Sequence, residues 1–161
     1  MGTKKIYLDT SIINFFYADD APDFKKATIA FFSNYVEPHV YDVYVSDIGI
    51  NEILKTKKID KRKQLLQKIQ EYELSVLRFT EEADNLAKKY IREKIIPSKK
   101  IEDAQHIALA TIEKIDILLS WNFKHLANVN KREKVKLLNA KEGYLYPLDL
   151  LTPLEVMYEN D

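Results

Sequence analysis

The sequence predicts an α/β protein of three layers, α/β/α, in which helices cover both faces of a mainly parallel central sheet. Short apolar runs of strand length alternate along the chain with longer segments of helical periodicity. Strands that alternate with helices usually pair in parallel, because each helix returns the chain to the edge where the next strand begins. The 161 residues, 46% hydrophobic and 31% charged, suffice for a core, and we expect one domain over 1–161.

The first half of the chain supplies three of the five predicted strands. The apolar run at 6–8 stops at Asp9, and the segment 12–17 that follows it predicts a helix start. The later elements in this half are a helix over 23–36 broken by Pro38, a strand at 41–45, a helix over 47–55 with Ser46 as its N-cap, an amphipathic helix near 65–72 and a strand at 74–77.

The second half predicts two more strands, each preceded by a helix. Thr80 is a suitable N-cap for a helix that runs to residue 91, and Gly143 is a typical residue just beyond a helix end. The other elements are a helix over 101–113, a strand at 116–120, a short helical turn at 123–126, a helix near 131–142, a strand at 148–151 and a final helix from 153.

Composition excludes several classes of function. The absence of Cys removes disulfides, thiolate nucleophiles, zinc–thiolate sites and iron–sulfur clusters. The three Gly residues are too far apart for a phosphate-binding loop. Because 25 basic residues balance 25 acidic ones, binding of a polyanion depends on local patches. No apolar stretch approaches the roughly 20 residues that cross a bilayer, so we expect no membrane segment and a cytoplasmic location.

Four polar side chains are predicted near the carboxyl ends of the strands. Asp9 follows the first strand, Glu52 lies in the helix after the second, Asp103 begins the helix before the fourth, and Asn122 follows the fourth. Parallel sheets bring these strand ends together and bind ligands there. Clustered carboxylates repel each other by about 4 kcal/mol at 4 Å for an effective dielectric near 20, and divalent cations offset that repulsion. Oxygen ligands without Cys favour Mg²⁺ or Mn²⁺ over zinc, and such ions promote phosphodiester hydrolysis.

Each of the three acids also has a purely structural interpretation. Asp9 is equally suited to be the N-cap of the helix that follows it. Asp103 is placed to interact favourably with the dipole of its own helix. Glu52 is compatible with a solvated helix surface, although isoleucines surround it in the sequence.

Five segments in chain order resemble the motifs of PIN-domain nucleases. They are Ile6-Tyr7-Leu8-Asp9-Thr10-Ser11, Ser46 with Asn51-Glu52-Ile53, the run from Glu102 to Ala110, the run from Leu118 to Leu126, and the run from Leu151 to Val156. The resemblance implies a PIN-like fold and a Mg²⁺- or Mn²⁺-dependent endoribonuclease. It further implies that Asp9, Glu52 and Asp103 bind metal. Asn122 stands where the family usually carries a fourth catalytic acid, which leaves the number of metals open.

The same resemblance predicts partners and substrate contacts. Many small family members are VapC-type toxins, which implies an RNA substrate, an antitoxin protein and a homodimer. Ser11, His106 and Lys124 are the predicted substrate-binding residues. Ser11 is also suited to cap a helix or orient Asp9, His106 to be a half-buried core histidine, and Lys124 to lie in a solvated loop. The basic run at 55–63 either binds RNA or is a solvated turn. Because Asn122 replaces an acid, the alternative function is a catalytically weakened module that binds RNA or protein.

Overall fold

Five parallel strands form the central sheet, as the sequence predicts. The structure, a computed structural model, describes residues 2–122 and 128–159. The strands are β1 Lys5–Leu8, β2 Asp42–Ser46, β3 Ser75–Leu77, β4 Ile117–Leu119 and β5 Asp149–Leu151. Their spatial order is β3-β2-β1-β4-β5, and every pair of neighbours is parallel. The chain therefore builds outward from β1 on one side and then crosses to β4 on the other. The boundary between β1 and β4 is a topological switch point, where such sheets bind ligands.

The described part of the chain has eight α-helices, of which seven connect strands and the last follows β5. They are α1 Thr10–Asn14, α2 Pro22–Phe31, α3 Asp47–Leu54, α4 Ile59–Glu71, α5 Glu81–Arg92, α6 Ile101–Ile112, α7 Val129–Lys141 and α8 Pro153–Glu159. A 3₁₀ turn over Phe15–Tyr17 extends α1, and another over Ser98–Lys100 leads into α6. None of the helices in the described part of the chain is long and apolar enough to cross a bilayer.

The centre of the sheet is buried on both faces by helices, which confirms the predicted three-layer architecture. Along β1, Ile6 and Leu8 pack against one set of helices, and Tyr7 packs against the other. All three side chains are at most 1% exposed. Successive side chains of a strand point to opposite faces, so an unbroken apolar run is what a central parallel strand requires.

Three predicted helices differ from their observed form. The helix predicted near 65–72 begins six residues earlier, because α4 spans Ile59–Glu71 and includes the end of the basic run. The helix predicted over 23–36 is α-helical only to Phe31, and Phe32–Val36 forms a wider π-helical turn in which Glu37 N donates to Phe32 O at 2.8 Å. α7 starts two residues earlier than predicted because the Asn128 side chain accepts hydrogen bonds from the amides of Asn130 and Lys131. The short helical turn predicted at 123–126 lies outside the described residues.

Candidate active site

The structure brings Asp9, Glu52, Asp103 and Asn122 to one cavity at the switch point of the sheet. Asp9 follows β1 directly, and Asn122 lies three residues beyond β4. Glu52 is on α3, and Asp103 is in the first turn of α6. The cavity has a volume of about 270 Å³, and its other lining residues are Thr10, Ser11, Asn14 and His106.

Asp9 is held by hydroxyl groups from both strand ends. Its Oδ1 accepts hydrogen bonds from Ser11 N at 3.1 Å and from Ser11 Oγ at 2.5 Å. Its Oδ2 accepts from Ser120 Oγ at 2.5 Å. Asp9 is therefore the N-cap of α1, and the capping geometry also fixes the carboxylate at the cavity. The two interpretations of Asp9 from the sequence are thus compatible with each other.

Glu52 is tied to a buried histidine and to a threonine of α1. Its Oε1 accepts hydrogen bonds from His106 Nε2 at 2.6 Å and from Thr10 Oγ1 at 3.0 Å. On the other side of the ring, His106 Nδ1 lies 2.5 Å from the hydroxyl of Tyr7. His106 is 1% exposed, so its ring bridges Glu52 to the strand β1 beneath the cavity.

Asp103 interacts with Asn122 and lies close to two lysines. Asn122 Nδ2 donates to Asp103 Oδ2 at 3.3 Å, so the amide contributes a donor where a fourth acid would add a second negative charge. The positive charges of Lys100 and Lys131 are near enough to interact electrostatically with Asp103. The acidic cavity therefore has basic side chains close to this wall.

The acids of the cavity differ in how their charges are balanced. Burial raises the pKa of Asp9, and the nearby charge of Glu52 raises it further, against the opposing effects of His106, Ser11 and Ser120. Burial and the charge of Asp9 raise the pKa of Asp103 to about 6. Burial also acts to raise the pKa of Glu52, but the hydrogen bond and charge of His106 lower it below its usual range. The negative charge on Asp9 and Asp103 is thus incompletely offset by the protein.

The donor chemistry of the cavity fits a hard divalent cation. In residues 2–122 and 128–159, no group of three or more Asp, Glu or His side chains is close enough to hold a metal ion as it stands. Asp9, Glu52 and Asp103 nevertheless present only oxygen ligands to one cavity, and burial raises the pKa values of Asp9 and Asp103. Mg²⁺ and Mn²⁺ prefer such ligands.

Of the three predicted substrate-binding residues, two form hydrogen bonds within the protein, and the third lies outside the described residues. Ser11 Oγ donates to Asp9 and accepts from Trp121 N at 2.9 Å, so its hydroxyl holds the carboxylate. Both ring nitrogens of His106 are within hydrogen-bonding distance of Tyr7 and Glu52. Lys124 lies outside the described residues. Substrate contact by these three residues stays a prediction.

Sequence reasoning missed several residues of the site. They are Tyr7, Thr10, Asn14, Ser46 and Ser120. Their signal is weak, because hydroxyls beside a helix start are ordinary caps and a tyrosine within an apolar strand is ordinary core. Only the pairing of β1 with β4 places Ser120 beside Asp9.

The fold and site define an α/β protein with an acidic cavity beside basic side chains at the sheet's switch point. Comparison with protein families identifies it further, because residues 6–132 match the model of the PIN domain. The chain therefore belongs to the PIN domain family, which is a family of nucleases. No curated protein matches the chain in sequence.

Solved structures with a similar fold come from bacterial toxin–antitoxin complexes. VapBC2 from Rickettsia felis, bound to a DNA fragment from its promoter, matches with a TM-score of 0.53 and 15% identity, over 90% of this chain and 98% of that chain. A toxin–antitoxin complex from Klebsiella pneumoniae matches with a TM-score of 0.55 and 14% identity, over 78% of this chain and 93% of that chain. At this level of identity, the likeness is one of fold.

Proposed function

We propose that this protein is a Mg²⁺- or Mn²⁺-dependent endoribonuclease that hydrolyses RNA phosphodiester bonds in the cytoplasm as the toxin of a toxin–antitoxin pair. The observation that carries the proposal is the convergence of Asp9, Glu52 and Asp103 on one cavity at the switch point of a PIN-domain sheet. The raised pKa values of Asp9 and Asp103 support it, since burial disfavours the charged carboxylates and a bound cation offsets that cost.

The residues of the cavity divide into ligands and the groups that orient them. Asp9, Glu52 and Asp103 would hold the cation, and Asn122 adds an uncharged polar side chain beside Asp103. When bound, the cation supplies Lewis-acid activation of water and stabilises charge on the phosphate and the leaving oxygen. Ser11 and Ser120 orient Asp9, and Thr10 and His106 orient Glu52.

Basic residues near the cavity support a polyanionic substrate. The segment 55–63 follows Glu52 along the chain and carries lysines that are exposed at 55, 57, 58, 61 and 63. Lys100 and Lys131 interact with Asp103 across the other wall. With acid in the cavity and basic residues around it, a phosphodiester would lie beside the cation while neighbouring phosphates interact with lysine.

A second cavity favours single-stranded nucleic acid, rather than a small phosphate ester, as the substrate. It has a volume of about 410 Å³ and shares Asn14 with the acidic cavity. Phe15, Tyr17 and Lys61 are among its lining residues. Aromatic faces next to a cation are the usual means of binding unpaired bases and their backbone.

The proposed partners are an antitoxin protein and a second copy of this chain. Two solved structures of similar fold are toxin–antitoxin complexes, and we extend that arrangement to this chain as part of the proposal. If it is correct, expression of the wild type stops growth of a bacterial host, whereas expression of D9N does not. Co-expression of a neighbouring antitoxin gene then restores growth, and growth arrest by D9N equal to that of the wild type contradicts the toxin assignment.

The direct test is RNA cleavage by purified protein with added Mg²⁺ or Mn²⁺. We expect the wild type and D42N to cleave, since Asp42 is an exposed carboxylate at the amino end of β2, the end of the strands opposite the cavity. We expect D9N and D103N to lose activity by about 100-fold or more. Equal cleavage by all four proteins rejects the assignment. RNA binding by a wild type that shows no cleavage and no affinity for millimolar divalent ions instead supports the binding module that Asn122 suggests.

A further inference from the structure

A buried chain of hydrogen bonds runs from the start of α3 to the carboxylate of Glu52. Gly49 N donates to Ser46 Oγ at 3.2 Å, which caps α3. Ser46 Oγ lies 2.5 Å from the Tyr7 hydroxyl, and that hydroxyl lies 2.5 Å from His106 Nδ1. His106 Nε2 completes the chain to Glu52 Oε1 at 2.6 Å.

The chain is sealed from solvent until it reaches the cavity. Tyr7 and Ser46 are 0% exposed and His106 is 1% exposed. The two nitrogens of the His106 ring are both engaged within the protein. A residue buried and bonded in this way can act on the cavity through Glu52 without itself contacting RNA.

The donor and acceptor roles along this chain are compatible with one another. A carboxylate only accepts hydrogen bonds, so His106 Nε2–H donates to Glu52. A hydroxyl both donates and accepts, which allows Tyr7 to serve Ser46 and His106 together. Every hydrogen bond in this series can therefore pair one donor with one acceptor.

The chain also connects the elements that carry the acids. Tyr7 belongs to β1, and His106 is on α6. Ser46 is the N-cap of α3, and Glu52 lies within that helix. Asp103 lies three residues before His106, on the neighbouring turn of the same helix. A shift of α3 relative to α6 therefore breaks this chain and changes the spacing between Glu52 and Asp103.

We propose that Tyr7 and His106 are positioning residues that fix the carboxylate of Glu52 and so set the affinity of the cavity for its cation. The effect on the cation rests on the proposed function. The positioning of the Glu52 carboxylate, by contrast, depends only on the hydrogen bonds among Tyr7, His106 and Glu52. Groups that hydrogen-bond to metal ligands typically contribute 10- to 100-fold to metal affinity or activity.

A purely structural role for the Tyr7 hydroxyl is the competing explanation, and the protein contains a matched control. Tyr90 is also 0% exposed and belongs to the same hydrophobic core as Tyr7. Its hydroxyl donates to Asn139 Oδ1 at 2.5 Å, in a buried polar group away from the cavity. Y7F and Y90F each delete one buried, hydrogen-bonded hydroxyl and retain the ring, so we expect similar losses of stability.

The experiment compares Y7F with Y90F by Mn²⁺ calorimetry, RNA cleavage kinetics and ¹⁵N NMR of the His106 ring. We expect Y7F to weaken Mn²⁺ binding by about 10- to 100-fold and to lower kcat with little change in KM for RNA. We expect Y90F to retain both. We also expect the Nε2–H of His106 to exchange faster with solvent in Y7F than in the wild type. If Y7F and Y90F have equal Mn²⁺ affinity and equal kcat, the inference is overturned.

Two substitutions of His106 provide an independent check. H106Q retains a donor at the distance of Nε2, whereas the shorter side chain of H106N ends near the position of Nδ1. We expect H106Q to keep Mn²⁺ affinity within about threefold of the wild type and H106N to lose about tenfold or more. Equal behaviour of the two variants contradicts the role assigned to the Nε2–H donor.

Failure of the proposed function is distinguishable from failure of this inference. A wild type that neither binds Mn²⁺ nor cleaves RNA rejects the proposed function. The NMR comparison then decides the positioning of Glu52 without a metal. Unchanged exchange of the His106 Nε2–H in Y7F rejects it, and faster exchange in Y7F but not in Y90F supports it.

Discussion

Ser120 Oγ donates a hydrogen bond to Asp9 Oδ2 at 2.5 Å, although 111 residues separate them in sequence. The contact follows from the parallel pairing of β1 with β4, which aligns Leu8 with Leu119. Ser120 also accepts from Asn122 N at 2.8 Å. One hydroxyl thus links the carboxylate after β1 to the polar segment after β4.

S120A tests whether this hydroxyl orients Asp9. We expect RNA cleavage to fall by about 10- to 100-fold, because Asp9 Oδ2 and Asn122 N lose their shared partner. The free energy of unfolding falls by about 1–3 kcal/mol. T111V is the control, since it removes a buried hydroxyl that bonds Asn139 and Ile107 away from the cavity. Equal losses of activity in the two variants would argue against an orienting role.

D103N tests the electrostatic strain of the acidic cavity through the pH dependence of stability. Because burial raises the pKa of Asp103 in the folded protein to about 6, from an ordinary value of 3.8, the folded state binds the extra proton between these pH values. The stability due to Asp103 is therefore fully present below about pH 4 and lost as the pH rises through 6.

We expect metal-free D103N to be more stable than the wild type by about 1 kcal/mol at pH 7.5, allowing for solvent screening. The difference shrinks as the pH falls from 6 to 4. Chemical denaturation at several pH values measures it, with D42N as the control for removal of an exposed carboxylate. A D103N that is less stable than the wild type at pH 7.5 contradicts this prediction.

N122D tests the position at which the chain departs from the family pattern. The new carboxylate faces Asp103, to which Asn122 now donates a hydrogen bond. We expect metal-free stability at pH 7.5 to fall by about 1 kcal/mol and Mn²⁺ affinity to rise about tenfold, since ligand charge strengthens cation binding. Calorimetry and denaturation measure both effects, and N51D on the exposed face of α3 is the control. Unchanged Mn²⁺ affinity in N122D would show that this position does not face the cation.

A double substitution tests whether RNA binds along the basic segment 55–63. Replacing the exposed Lys57 and Lys61 by Ala should weaken RNA binding about tenfold at low salt and reduce the salt slope of log K by about 1.4. Mn²⁺ affinity should not change. The matched control replaces Lys136 and Lys141 of α7. The same loss in both double variants indicates a nonspecific effect of net charge.

Most of the fold is predictable because its signals are local. The apolar runs of all five strands identify them, and caps such as Ser46 and Thr80 mark helix starts that the structure confirms. The order of the strands is not local information, since it depends on which neighbours pack best. The π-helical turn at Phe32–Val36 also has no local sequence signal. The capping and breaking residues that mark the ends of a helix are the same whether its last turn is α-helical or π-helical.

The candidate site is only partly predictable for a related reason. Asp9, Glu52 and Asp103 are recognisable because carboxylates at strand ends and in an apolar helix are costly. Tyr7 and Ser120 are not, since each matches its strand environment and has no unusual spacing. Their roles come from contacts across 99 and 111 residues, with His106 and with Asp9 respectively.

The most direct test of the proposed cation site is a crystal structure of the protein grown with Mn²⁺ and measured at the manganese edge. We predict an anomalous peak bounded by the carboxylate oxygens of Asp9, Glu52 and Asp103. A well-ordered cavity without a peak, or manganese bound only elsewhere on the protein, contradicts the proposed nuclease site.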